Sequence, residues 1–366
     1  MHRIFSETFQ SQSIGQSMSI PDKSLPTLRD VADSAEVSVG TASKVLSGAS
    51  GVSAERAQRV WDAARLIGYR RNGIAADLRR GRPSSIGFVL PDLTNQFFVD
   101  IARALENHAL QHGYQLILAH ADEDPEREME RIRFVLSRQV AGMIIIPCSG
   151  HQHAIDEARE CNVPLVMADR VDETFPANTV TTNSRSASAD GTAHLIALGH
   201  KRIAFLVNTL ELVNSRERAD GYIAAMRYAH LDDYIAVVEC GMTATQIHAA
   251  TLEVLSTSVR PTALFAGGNV TTLGALRAIR DVDLRIPDDI SLLSFDDAPW
   301  MSVLRPYLTS IRQPVEAIGH AIWQLMLKLL NGERDEFVHL SFKAELLVRE
   351  STAQVPAETP TPTVVN

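Results

Sequence analysis

Cysteine is scarce in this chain: three in 366 residues, Cys148, Cys161 and Cys240, with no CxxC pair among them. An odd set without paired spacing excludes a disulfide scaffold and a zinc knuckle, and points to a reducing compartment with buried thiols. Long apolar runs are missing as well. No stretch approaches the roughly 18–20 residues needed to span a bilayer. Residues 1–25, rich in Gln and Ser, lack the continuous apolar core and small-residue cleavage site of a secretory signal. These absences predict a cytoplasmic protein without membrane contact, preceded by a disordered extension over residues 1–25. The signatures of common enzyme chemistries are also absent: there is no GxSxG elbow, no P-loop, no GxGxxG fingerprint and no HExxH pair. His108 and His112 stand four apart, but no third ligand or general-base Glu accompanies them, so they read as a solvated helix face. No enzymatic activity, no metal and no cofactor are expected.

What is present is sharper. Hydrophobic residues at 45% and charged residues at 22% are the proportions of a folded globular protein, and 366 residues exceed one domain. Between residues 27 and 82 the chain reads as two short helices meeting at a tight turn, a third helix, and an arginine-rich segment. Thr27 with Asp30 has capping-box spacing, and Leu28, Val31, Ala32 and Ala35 give the first helix one apolar face. Glu36 and Val37 turn the chain. Ser38 caps a second helix from about Val39 to Leu46, in which Ala42, Val45 and Leu46 face inward. Val39, Gly40, Thr41, Ser43 and Lys44 are left to point outward. Ser53 is expected to cap a third helix, with Ala57, Val60, Ala64 and Ile67 as its buried stripe. This is the layout of a helix-turn-helix DNA reader.

Charge agrees with that reading. Residues 24–82 hold ten Lys/Arg against six Asp/Glu, a net of +4, whereas the whole chain is at −9. Residues 1–23 are neutral, so residues 83–366 carry −13. A basic module on an acidic body suits binding a polyanion through one end. Taken alone, the same pattern also describes a small bundle with a solvated basic face.

From Ser85 onward the pattern alternates. IGFVL, QLILAH, GMIIIP and PLVMAD are short, continuously apolar runs, as expected of strands buried in a parallel sheet. Helical stretches separate them near Phe97–His112, Pro125–Arg138 and His151–Cys161. The rhythm returns after Ala187 with RIAFLV, TALFAG and SLLSF, separated by helices near Arg216–Ala229, Ala244–Ser256 and Thr271–Arg280. Two successive βα arrays make two doubly wound parallel sheets, with a ligand cleft at the carboxyl ends of the strands. Asp92, Asp169, Arg170, Asn269, Asp296 and Asp297 directly follow strands. Such carboxylates, an amide and an arginine suit ligand hydroxyls or an anionic group.

The run DVADSAEVSVGTASKVLSG, then VSAERAQRVWDAARLIGYRRNGIAADLRRGR, then IGFVLPDLTNQFF, closely resembles the lactose-repressor/galactose-repressor (LacI/GalR) family of bacterial transcription regulators. The resemblance continues through VPLVMADR, LIALGHKRIAFL, RERADGY, RPTALFAGGN, RIPDDISLLSFDD and LTSIRQP, and covers about residues 26 to 350. It implies an all-α helix-turn-helix DNA-binding domain (26–71), a hinge helix or linker (72–82), an α/β two-lobed body of type I periplasmic-binding-protein-like fold (84–350), and a disordered tail (351–366). It implies chain crossings between the lobes near Thr182 and Arg312, with the helix Val315–Asn331 returning to the first lobe.

The same resemblance assigns roles to residues. DNA contacts would come from Thr27, Ser38, Val39, Gly40, Thr41, Ser43 and Lys44, and from Asn72, Ala75 and Leu78 in the hinge. Leu78 matches a leucine that wedges into the minor groove; read without the family, that segment is a plain linker. Effector contacts would fall on Asn95, Phe97, Phe98, Asp169, Arg218, Asn269 and Asp296. Packing is the competing role for Phe97 and Phe98, and a surface ion pair with Glu217 or Asp220 for Arg218. Trp300 suits either stacking on a sugar ring or packing.

There are departures from the family pattern. Gly267-Gly268-Asn269 stands where the family often reads AND, Lys44 where Arg is common, Ala42 where Val is common, and Gly40 leaves a main base-reading position bare. The expected partners are a double-stranded DNA operator, a small-molecule effector such as a sugar or sugar acid, and a second copy of the chain in a homodimer or a higher assembly. The alternative is a sugar-binding receptor or transport component of the same two-lobed fold.

Overall fold

The structure, a computed structural model, describes residues 26–70, 83–148, 156, 160–171, 176–333 and 336–355. The chain divides into two units, Met1–Gly81 and Arg82–Asn366. In the first, helices α1 (Leu28–Ser34), α2 (Val39–Leu46) and α3 (Ala54–Leu66) enclose a small core of Val31, Ala32, Ala42, Val45, Val60 and Ala64. The capping box of Thr27 and Asp30 is formed, with Thr27 N donating to Asp30 Oδ2 at 2.7 Å and Asp30 N to Thr27 Oγ1 at 3.3 Å. Glu36 takes a left-handed φ of 52° at the tight turn. Ser53 occupies the cap position of α3, but its side chain makes no capping bond, so only the backbone bend expected there is present. The hinge residues Asn72, Ala75 and Leu78 lie outside the described residues, as does most of the helix expected over His151–Cys161.

The second unit contains two lobes of matching plan. In the N-lobe, β1 (Ser85–Leu90), β2 (Gln115–His120), β3 (Gly142–Ile145), β4 (Leu165–Ala168), β5 (Asn178–Thr182) and β11 (His339–Phe342) form one sheet in the order β11-β5-β4-β3-β1-β2, all parallel. In the C-lobe, β6 (Ile203–Val207), β7 (Ala236–Glu239), β8 (Ala263–Ala266), β9 (Ser291–Phe295), β10 (Thr309–Arg312) and β12 (Glu345–Leu347) run β12-β10-β9-β8-β6-β7, with only β12 antiparallel. Central strands β1, β3, β4, β6, β8 and β9 are buried almost throughout, which is why they read as unbroken apolar runs.

Helices cover both faces of each sheet. In the N-lobe these are α4 (Gln96–Gln111), α5 (Pro125–Ser137) and α10 (Val315–Leu330). Phe88, Leu105, Ile144 and Trp323 fill one side of its sheet; Val89, Ile132, Met143 and Met167 fill the other. The C-lobe carries α6 (Ser184–Ala197), α7 (Val213–Tyr228), α8 (Ala244–Leu255) and α9 (Asn269–Asp281). Helix α6 has no apolar stripe. It packs on α7 beside Ser188 and on the sheet at Gly191, which faces Ile311 and Phe265, and the Thr192 hydroxyl returns to Ser188 O at 2.8 Å. Small residues let the two backbones approach closely: a β-carbon at Gly221 of α7 would overlap the Arg185 carbonyl oxygen.

The chain passes between lobes three times: from β5 to α6, from β10 to α10, and from β11 to β12. The third passage and both strands flanking it were not expected from the sequence, because HLSF and ELL are short and contain no fully buried residue. Residues 351–355, expected as part of a disordered tail, are instead packed on the C-lobe. Ser351 is fully buried, with Oγ donating to Leu292 O at 2.5 Å and accepting from Thr309 N at 2.8 Å, and Val355 N donates to Leu198 O at 3.1 Å.

One buried acid in the N-lobe makes stability depend on pH. Glu128 of α5 accepts the Cys148 amide at 2.9 Å through one carboxylate oxygen, while the other is buried without a partner. Burial pushes its pKa up to about 7, against the Cys148 bond and the Arg170 charge, which act the other way. A raised folded pKa costs stability as pH rises from the ordinary carboxylate range through about 7. Glu128→Gln should therefore gain on the parent by roughly 3 kcal/mol between pH 4.5 and pH 8, measured by denaturant unfolding. A gap independent of pH would show that the Glu128 pKa is the same folded and unfolded, and so not raised by burial.

Candidate functional site

In the helix-turn-helix unit, Ser38 accepts the Thr41 amide at 3.1 Å, and the two hydroxyls lie 2.9 Å apart. Both side chains are thus engaged in starting α2, with Ser38 itself exposed and Thr41 half-buried. Val39, Gly40 and Lys44 are exposed and Ser43 is half-buried, while Ala42 and Val45 hold the helix to the core. A β-carbon at Gly40 would have only Ser38 Oγ nearby, at 3.9 Å, so packing does not require the glycine. Lys44 lies on the last turn of α2, where a cation also complements the helix dipole. The face offered to a partner is short, basic at one end and otherwise free of charge.

The second site lies between the lobes of the body. Strands β4 and β9 hold equivalent positions in the two sheets, and each is followed by an aspartate in left-handed backbone: Asp169 at φ 62° and Asp296 at φ 73°. Non-glycine residues in that region carry strain and cluster where side-chain direction matters. Both aspartates are buried and line one cavity with Asn95, Phe97, Phe98, Arg218 and Asn269. The cavity holds only about 40 Å³, room for a few water molecules, so the lobes are closed on one another.

Arg218 projects into the cavity from α7 and is only 5% exposed. Its Nη1 donates to Gly267 O at 2.7 Å, and the guanidinium carbon stacks 3.7 Å from the Phe295 ring centroid. Nε is buried without a partner. The alternative of a surface pair with Asp220 does not hold, since Asp220 bonds Arg185 instead. Asp296 accepts from Gln313 Nε2 at 2.5 Å and from the Asn269 amide at 3.4 Å. Thr182 donates to Gln313 Oε1, so two of the three interlobe passages are wired to this carboxylate.

Two hydrogen bonds cross the cleft. Asn269 Nδ2 donates to Asn95 Oδ1 at 3.1 Å, and Asn214 Nδ2 donates to Asp169 Oδ2 at 2.9 Å. Burial raises the Asp169 pKa above the ordinary carboxylate range, and the charges of Arg218 and Arg170 act against it. The rings of Phe97 and Phe98, 5.5 Å apart, belong to the N-lobe core and also line the cavity.

Trp300 is the exception among the expected effector contacts. It is half-buried on the C-lobe core near Met301 and Leu308 and does not line the cavity, because the short 3-10 turn Pro299–Ser302 directs it back onto the lobe. Arg170 does line the cavity, but its guanidinium is gripped by Glu123 at 2.6 and 2.8 Å and lies 5.3 Å from the Phe98 ring centroid. Asn208 and Asn214 were not singled out from the sequence. Asn214 stands one helical turn before Arg218, and that spacing was the available signal. Among the described residues, no group of three His, Cys, Asp or Glu side chains fits a metal ion. No described helix is long and apolar enough to cross a membrane.

Comparison with known proteins agrees with this architecture. Residues 27–72 match the family model for bacterial regulatory proteins of the lacI family, and residues 192–352 match that for a periplasmic binding protein-like domain. Catabolite control protein A of Priestia megaterium is 31% identical over 330 residues, covering 89% of this chain and 99% of that protein. The HTH-type transcriptional repressor PurR of Klebsiella pneumoniae (strain 342) is 29% identical over 343 residues, covering 91% and 98%. Among solved structures, the lac repressor dimer bound to operator and the anti-inducer ONPF aligns with a TM-score of 0.77 at 28% identity, covering 90% of this chain and all of that one. The transcriptional regulator CelR–cellobiose complex aligns at 0.66 and 27% identity, covering 89% and 99%. With a capped helix-turn-helix at one end and a two-lobed body around a polar cleft, the chain belongs to the lacI family of bacterial regulatory proteins, transcriptional repressors rather than enzymes.

Proposed function

We propose that this protein represses transcription by binding a near-palindromic operator as a homodimer, and that a small polyhydroxylated effector in the interlobe cleft sets its affinity for DNA. The observation that carries the first half is the exposed face of α2, Val39 to Lys44, on a helix whose start and core are fully specified. A helix of this kind reads base edges in the major groove, and two copies related by a two-fold axis read two half-sites. The lac repressor relative was solved as a dimer on its operator, which supports the same arrangement here. The protein would act in the cytoplasm, where that DNA lies. Selection from a randomised duplex pool tests the reading: two inverted half-sites should be enriched, and recovery of no sequence preference would refute it.

For the second half, the buried polar groups of the cleft are the support. Arg218, Asp169, Asp296 and Asn269 converge from different stretches of the chain, and Arg218 Nε and Asn269 Oδ1 are buried without partners. Leaving such groups unpaired costs about 1–3 kcal/mol each, which a hydroxyl-rich ligand would recover. The CelR relative was solved with cellobiose. These groups suit a sugar or a related polyol, and the regulated operon would serve its use. The ligand would change the angle between the lobes and so bias the DNA-binding arrangement, by as much as its preference for one lobe angle over the other.

Lys44→Ala should relax sequence preference at one base pair per half-site, at roughly 1–3 kcal/mol. Fluorescence anisotropy over a small operator library at two salt concentrations measures this. A uniform loss with a salt slope lower by about one would make Lys44 a phosphate contact instead.

Arg218→Ala should leave a folded, operator-binding protein that no longer responds to effector. Losing one partner of a buried charged network costs about 2–5 kcal/mol, more than tenfold in affinity. Calorimetric titration with a sugar that stabilises the parent reads the loss. Undiminished affinity would remove Arg218 from the effector site.

A further inference from the structure

The cleft also carries information about the charge of its ligand. Asp169 and Asp296 face the cavity against Arg218. The second guanidinium on the wall, Arg170, is bonded by both oxygens of Glu123 and brings no net charge. Behind Asp296, Asp297 is matched in the same way by Arg349 at 2.7 and 2.9 Å. Glu128, behind Arg170, adds no positive charge. With Asp169 and Asp296 both ionised, the described wall carries one more negative charge than positive.

Unsatisfied hydrogen-bonding capacity at the wall is balanced, so the two carboxylates set the preference. Of the buried cavity-lining atoms without a partner, Asn214 Oδ1 and Asn269 Oδ1 are acceptors, while the two donors are the Nε atoms of Arg218 and Arg170. The bonds that close the cleft are both donated by amides, to Asn95 Oδ1 and to Asp169 Oδ2. A ligand that parts the lobes frees those two acceptors and the two amide donors together, and must bond to both kinds. At Gly268 the wall has no side chain: a β-carbon there would be 3.8 Å from both Arg218 Nη1 and Asp296 Oδ2, ordinary contact distance. The bare backbone thus lies beside the one unneutralised guanidinium and one of the two carboxylates.

Resting on the reading of the cleft as an effector site, we infer that the effector is a donor-rich polyol without negative charge, neutral or amino-bearing, and that sugar acids and sugar phosphates are rejected. An anionic group placed beside Arg218 also meets Asp169 and Asp296 in a closed space where water cannot screen them. Hydroxyl or ammonium hydrogens satisfy the carboxylates and the amide oxygens together.

Matched compounds test this in the full chain: glucose, glucosamine, glucuronate and glucose 6-phosphate, with the corresponding galactose set, followed by thermal unfolding and calorimetry. The expected result is that a neutral or amino member raises Tm by roughly 5 °C at a hundredfold excess over Kd. Its acidic and phosphorylated counterparts should bind at least tenfold more weakly. Asp169→Asn, which keeps an oxygen to accept the Asn214 amide, should reduce that discrimination about tenfold. Gly268→Ala, which fits the backbone, should weaken the neutral ligand without lowering the Tm of the free protein. If an acid or phosphate binds as tightly as its neutral counterpart and loses binding in Arg218→Ala, the inference of charge fails while the cleft remains the effector site. If no member of either set shifts Tm, the polyol reading of the cleft fails, and this inference with it.

Discussion

The constraint on which the body depends is that its two lobes share their chain ends. Three passages join them, at β5 to α6, β10 to α10 and β11 to β12. Two are tied together by the contact of Thr182 with Gln313, and Gln313 in turn donates to Asp296 in the cleft. The lobes can therefore rotate about one edge, but they cannot separate. A ligand bonded to Asp296 acts on the same carboxylate that Gln313 holds at the crossing. Short-range chemistry in the cleft is thereby linked to a rigid-body angle, which is the kind of two-state element that allostery requires.

The closed state has a recognisable balance. Amide donors from the C-lobe, on Asn214 and Asn269, bridge to oxygens of the N-lobe, while Arg218 is held by Gly267 O and the Phe295 ring. Strain in the left-handed backbone of Asp169 and Asp296 and several unpaired buried atoms oppose it. Cohesion across the cleft is thus modest, and a ligand of matching chemistry can compete for the same groups. Within each lobe the packing is different: the sheets are packed on both sides by large aliphatic and aromatic side chains.

Much of this was legible in the residues. The buried central strands announce themselves as apolar runs, and the capping pairs at Thr27 and Ser38 fix where α1 and α2 begin. Helix α6 escaped because its buried face is Ser, Ala, Gly and Thr with Leu195 as its one large apolar residue, and hydrophobic periodicity does not register close backbone approach. Strands β11 and β12 escaped because four and three residues, none of them fully buried, are too short for an alternating pattern to stand out. In the site, residues following a strand were readable from position alone, as with Asp169 and Asp296. Residues brought in by tertiary packing were not. Asn208 and Asn214 reach the cavity from loop and helix, Glu123 neutralises Arg170 from 47 residues away, and Trp300 turns onto its own lobe.

The central claim is that the cleft, through the angle between lobes, controls DNA affinity. It is tested most directly by locking the cleft shut. Cysteines at Asn95 and Asn269, whose side chains now bond at 3.1 Å, can be joined by a short thiol crosslinker in a background with the exposed Cys161 replaced by serine. Operator affinity is then measured with and without a sugar that stabilises the uncrosslinked protein. The account predicts that the locked protein holds one operator affinity whatever the sugar concentration, and that cleaving the crosslink restores the response. A locked protein whose operator affinity still changes with the sugar would contradict it.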